Sequence, residues 1–219
     1  MDAVIDVHFV FLGAAISLVG SLLYARDTFR GLTQPNRVTW VLWTIAPMLA
    51  FVAEIRQGVG LQSLMTFSVG FGPLIVLCAS FANKNAVWKI GPFDIACGVA
   101  SCLGLLLWLI SSNNTVALAS FMAADALAGL PTVVKSWKAP ETESVNSYLG
   151  AFISALLTLA TVTTWTSAEV AFPIQIAVFN TIQITLISGR VGPRLRHEPS
   201  PPVSKPVERV IAPTRSEEP

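Results

Sequence analysis

The sequence predicts an all-α integral membrane protein with seven transmembrane helices. They are arranged as two parallel three-helix repeats joined by one linker helix (3+1+3). Three observations carry this expectation. Of 219 residues, 53% are hydrophobic and only 12% charged, with a mean hydropathy of +0.64, whereas a soluble domain carries about 25% charged residues. Apolar stretches recur at lengths that suit a bilayer span, about 17–25 residues. Basic residues gather in alternate loops.

The N-terminal "MDAVIDVHF" is acidic where a secretory leader is basic, so the first apolar segment, 8–26, is expected to be retained as a span. The second span, 37–55, carries Trp40 and Trp43 near one end, where they read as interfacial anchors. The third, 61–81, contains "VGFGP", a segment expected to loosen the helix at Gly70, Gly72 and Pro73. The fourth is 93–111. "SSNNT" separates it from the fifth, 115–135, because Asn113 and Asn114 favour turns. The sixth is 145–165, and the seventh, 169–189, holds Pro173. The units are therefore 1–92 (first repeat with its N-terminal stub), 93–111 (linker helix) and 112–190 (second repeat). A Pro-rich, charged tail, 191–219, is expected to be disordered and cytoplasmic.

Arg26, Arg30 and Arg37 fall in the first loop, Lys84 and Lys89 in the third, and Lys135 and Lys138 in the fifth. Six more basic residues follow from Arg190 through Arg215, whereas the intervening loops hold only Arg56. The positive-inside rule then puts the N-terminus outside and the C-terminus in the cytoplasm, and we expect residence in the plasma (cytoplasmic) membrane. A net charge of +1 gives no basic field for nucleic acid. Cys78, Cys97 and Cys102 show no metal-ligand spacing and read as buried apolar thiols. No nucleophile–base set, metal set or phosphate loop is present, so the chain is expected to be no enzyme and to use no cofactor or metal.

Two loops resemble each other. "YARDTFRGLTQPNRVTW" and "PTVVKSWKAPETESVNSYLG" each follow an apolar helix, carry charge around a proline (Pro35, Pro140) and run directly into another helix. Laying 8–81 over 115–188 pairs Val38 with Val145 and Leu42 with Leu149. The identities are few and all apolar, so the repeat rests on spacing and charge pattern. Parallel repeats meeting at a midplane site are a known transporter plan.

This helix order, with "GLPTVVKSWKAPETESVNSYL" between the fifth and sixth helices, resembles the PQ-loop/SWEET transporter superfamily over about residues 8–190. Pro131 stands at the family's helix-bending proline, and Thr132 replaces the glutamine that names the motif. Tyr24 occupies the corresponding proline position of the first repeat. Pro47 matches a second-helix proline whose partner here is Ser154, so the family's proline tetrad is incomplete. The resemblance implies a small carrier that moves a small polar solute by alternating access, with proton coupling and homo-oligomers both open. It also reaches cargo-sorting receptors of the same fold, so a non-transporting receptor or scaffold is the alternative. In the sugar carriers an asparagine pair on helices three and seven binds the solute. Asn180 fits the helix-seven place, while Pro73 stands at the other.

Asp125 is the most telling residue. It lies roughly 14 Å along its span from either end, where a charge costs about 2.5–3.5 kcal/mol on insertion scales. Either it faces a cavity between the repeats as a substrate-binding or proton-coupling group, or it is protonated or paired and locks helices together. Asn180 and Gln183 share a helix face as further substrate-binding candidates, against simple interhelical hydrogen bonding. Pro47, Pro131 and the Gly70–Gly72–Pro73 segment are the candidate hinges, with static kinks as the plainer reading. Lys135, Lys138, Glu141 and Glu143 read as solvated loop charges. An Arg37–Asp27 pair across the first loop and interfacial places for His8 and Asp94 complete the expectations.

Overall fold

The computed structural model describes residues 4–56, 63–83, 86 and 88–196. Residues 61–62 of the third predicted span, Lys84 and the tail from 197 onward lie outside them. Among the described residues the chain is helical and has no strand. Its helices are α1 (Phe9–Phe29), α2 (Arg37–Arg56), α3 (Ser63–Ala82), α4 (Pro92–Ile110), α5 (Asn114–Lys138), α6 (Val145–Thr161), α7 (Ser167–Gly189) and α8 (Val191–Leu195), with a 3-10 turn at Pro140–Thr142. Five helices, α1, α3, α4, α5 and α7, are long and apolar enough to cross a membrane. The apolar parts of α2 and α6, Arg37–Ala53 and Val145–Thr161, are shorter.

Local chemistry sets the breaks. Gly31 has φ +73°, a left-handed turn that closes α1 and lets the Leu32 N–H reach the Asp27 carbonyl at 2.9 Å. Pro92 opens α4, and the Asp94 carboxylate accepts from the Gly91 N–H at 2.6 Å. The Asn113 side chain accepts from the Thr115 and Val116 N–H groups, which is why "SSNNT" starts a new helix. Asp94, in the first turn of α4, also accepts from Asn36 Nδ2 at 2.9 Å and is buried. Pro47, Pro73, Pro131 and Pro173 all sit inside helices that continue through them, so "VGFGP" is not unwound.

The outer surface is strongly apolar, and small polar residues share the interior with an apolar core. Leu22, Leu103, Leu106 and Val178 point outward, while Ser17, Ser68, Ser80 and Thr132 are buried. That distribution suits a lipid environment, where small and polar residues join helices and every buried polar group needs a partner within the protein. The helix neighbours form a definite pattern. α3 packs between α1 and α2, and α7 packs between α5 and α6. Further contacts join α1 to α6 and α2 to α5, and α4 packs on α5 and α2.

The α1–α6 seam runs on small residues at helical spacing: Gly13, Ser17 and Gly20 against Ser147, Gly150 and Ser154. A Cβ on Gly20 would fall 2.5 Å from the Asn146 carbonyl oxygen, and one on Gly150 would fall 2.8 Å from that of Ile16. The glycines of "VGFGP" serve the same purpose, with Gly70 against Met48 and Gly72 against Ser21.

Three sequence-based expectations are corrected. Residues 191–195, assigned to the disordered tail, form α8, which docks on the end of α5. A Cβ at Gly192 would lie 1.8 Å from the Trp137 carbonyl oxygen, and Arg196 donates to the Trp137 and Lys138 carbonyls at 3.3 and 3.1 Å. Those carbonyls belong to the last turn of α5, which has no intrahelical donors left. Arg37 does not pair with Asp27. It donates to the Ser80 carbonyl at 2.5 Å and lies over the Phe81 ring, whereas Asp27 pairs with Arg26 at 2.9 Å and accepts from Ser144. Of the cysteines only Cys97 is buried; Cys78 and Cys102 are exposed on the outer surface.

Gly20→Val should lower the unfolding midpoint in detergent, with a cost of about 1–3 kcal/mol for the forced separation of α1 from α6. Val19→Ala, on the exposed side of the same helix, should leave the midpoint unchanged.

Candidate functional site

A cavity of about 60 Å³ lies at the centre of the bundle. All six helices of the two trios contribute to its wall; α4 does not. Ser17 and Ser21 come from α1, Trp40 and Trp43 from α2, Pro73 from α3, Asp125 from α5, Ser147 and Tyr148 from α6, and Phe179 and Asn180 from α7. The cavity has room for a few waters.

Asp125 sits on the buried stripe of α5 that includes Phe121, Ala128, Thr132 and Lys135, at the three- and four-residue spacing of one helix face. Its side chain is buried. Gln175 Nε2 donates to Asp125 Oδ2 at 2.9 Å and to the Met122 carbonyl at 3.0 Å, which pins the carboxyl between α5 and α7. No described residue donates to Asp125 Oδ1, and no lysine, arginine or histidine lines the cavity. Gly129, one turn on, makes room for the aromatic wall. A Cβ there would lie 2.5 Å from the Phe179 ring and 2.9 Å from Trp43. Trp43 meets both Phe179 and Trp40 edge-on, at centroid distances of 5.2 and 5.7 Å, and its indole N–H approaches the Asp125 carbonyl at 3.4 Å.

Asn180 shares this cavity with Asp125. Its Nδ2 donates to the Ile176 carbonyl at 2.7 Å, one turn back on its own helix, and this leaves the side-chain oxygen without a donor among the described residues. Gln183 is fully buried but off the cavity wall, and both ends of its amide lack a partner among the described residues. Of the candidate hinges, Pro73 lines the cavity, while Pro47 and Pro131 are buried inside their helices.

Trp40 and Trp43 are not interfacial anchors. Trp40 is only 1% exposed and packs with Tyr24 and Tyr148 at ring distances of 5.0 and 6.4 Å. Behind this cluster lies the largest departure from the sequence reading. Lys135 and Glu143 are not solvated: both side chains are fully buried and form an ion pair at 2.6 Å. The other Glu143 oxygen accepts from the Tyr24 hydroxyl at 2.6 Å and the Tyr148 hydroxyl at 3.0 Å. Lys135 also donates to the Thr142 carbonyl at 3.1 Å and lies over the Trp88 ring. One carboxylate thus ties α1, α5 and α6 together at one end of the cavity. The signal was present in the spacing, because Lys135 lies on the same helix face as Asp125 and Thr132. The serines were legible in the same way, as small polar residues one turn apart on α1.

No protein-family model matches the chain, and neither a curated protein nor a solved structure shows significant similarity to it.

Glu143→Leu would strand a buried ammonium and two tyrosine hydroxyls, and should cost roughly 3–5 kcal/mol. Adding Lys135→Met should recover part of that loss. Thermal denaturation of the four forms in detergent should then give a coupling energy of about 0.5–3 kcal/mol; strictly additive losses would show that the pair is not coupled.

Proposed function

We propose that this protein is a small membrane transporter that moves a small polar solute by alternating access, with a proton exchanged at Asp125. The observation that carries the proposal is Asp125 itself. It is a buried carboxyl on a central cavity, held by a neutral amide and met by no cationic side chain. A structural carboxyl in a membrane is normally paired, and an unpaired one facing a cavity marks a path for a solute or proton. Among the described residues Tyr148 is the only other titratable side chain on the wall, and its hydroxyl is committed to Glu143. Among the described side chains, the titratable ones of the helices packed on α5 (Asp94, Cys97 and Cys102 on α4, Arg37 and Arg56 on α2, Glu169 on α7, Arg194 on α8) are absent from the wall.

The architecture we infer is the seven-span 3+1+3 plan. Exchanging α1, α2 and α3 for α5, α6 and α7 turns the α1–α6 contact into the α5–α2 contact, as a pseudo-two-fold axis requires. The six exchanged helices are the ones that wall the cavity, and the remaining helix, α4, stands outside. Shorter apolar stretches on α2 and α6 fall at equivalent places and would be met by local bilayer adjustment. We keep the orientation given by the basic loops, with the C-terminus in the cytoplasm of a plasma-membrane protein. In that frame the Glu143 cluster closes the cavity on the cytoplasmic side, and the solute leaves when it opens. Pro47, Pro73 and Pro131, each inside a helix, are the bending points we assign to that motion.

Proteoliposomes containing a pH dye and offered sugars, amino acids, amines and carboxylates in turn test this reading. At least one class should enter faster than into empty liposomes, with a rate that responds to an imposed proton gradient. Asp125→Asn, checked for an intact fold by its melting curve, should lose the gradient response and on the order of tenfold in rate. If no class enters faster than into empty liposomes, the transporter reading fails and a receptor or scaffold on the same fold takes its place.

A further inference from the structure

The wall of the central cavity joins one carboxyl to neutral polar groups: the hydroxyls of Ser17, Ser21 and Ser147, the Trp40 indole N–H, unpartnered among the described residues, and the Asn180 amide. It offers two acceptor oxygens that no described residue donates to, Asp125 Oδ1 and Asn180 Oδ1. The Asn180 orientation is forced, because only its NH₂ can satisfy the Ile176 carbonyl. The wall carries no basic side chain, and Trp43 and Phe179 pack together over Gly129, one turn from Asp125. A buried carboxylate without a counter-charge is expensive, and aromatic faces attract cations once water is excluded. A neutral solute would leave the Asp125 carboxyl without a counter-charge, and an anion would meet it with nothing to offset the repulsion. The space is also small.

We propose that the solute is a small organic ammonium or guanidinium-type cation, with its N–H donors on Asp125 and Asn180 and its carbon part against Trp43 and Phe179. The proposal rests on the transporter reading and narrows it. The proton and the organic cation then compete for one carboxyl, so that protonating Asp125 releases the solute.

The test is thermal unfolding of the full chain in detergent at fixed ionic strength. The additives are methylammonium, dimethylammonium and guanidinium chlorides, set against sodium and potassium chlorides, glucose, acetamide and sodium acetate. A saturable rise in midpoint with one or more of the organic cations is expected, beyond that of the inorganic salts and absent from Asp125→Asn. Trp43→Leu, which keeps the carboxyl, should weaken the apparent affinity by roughly threefold to thirtyfold. Four outcomes would overturn the cation assignment, and three of them leave a thermal shift. Asp125→Asn could respond like wild type, sodium or potassium alone could give the full shift, or glucose, acetamide or acetate could stabilise where the organic cations do not. In the third case flux into proteoliposomes would still stand, so the transporter reading would survive without the cation. Absence of both shift and flux would remove both.

Discussion

The Glu143 carboxylate is the point on which the two halves of the bundle converge. It is buried with Lys135, and it also binds the hydroxyls of Tyr24 and Tyr148, so one group spans three helices. Both charged side chains are fully buried, so breaking the contact would leave a buried charge unpaired. Lys135 therefore holds the end of α5 against the 3-10 turn, and the two tyrosines hold α1 and α6 against it. Trp40 packs on both tyrosines, and through it the cluster reaches the wall of the cavity. The same interaction thus organises the fold and closes one end of the central space.

The two seams between the helix trios differ in kind. The α1–α6 seam is built from glycine and serine and brings the backbones into close contact. The α2–α5 seam carries Trp43, Asp125 and the Thr39–Thr132 hydroxyl pair, with 2.9 Å between the oxygens. One side is thereby closed by van der Waals packing, and the other leaves room for polar chemistry.

Much of the candidate site could be read from residue spacing. Asp125 and Asn180 were singled out as intramembrane polar groups, and both line one cavity. The aromatic residues were misread, because Trp40 and Trp43 sit near the start of α2, where interfacial tryptophans are also found. Depth along a helix is legible in a sequence; which way a ring points around the helix depends on the neighbours. Lys135 and Glu143 were misread because loop charges near a helix end are usually hydrated. They are buried because the turn at Pro140 folds Glu143 back under α5.

The sequence by itself determined that the chain is helical and apolar enough for a membrane, and where its seven long helices lie to within a few residues. Those properties follow from hydropathy over a span and from capping and turn residues, which act within a few positions of the chain. Only the tertiary structure decided which charges are buried, that α8 docks on α5, and that Gln175 rather than Gln183 meets Asp125. Each of these depends on groups distant in sequence that find one another across helix seams, and the geometry of a seam is set by both of its sides at once.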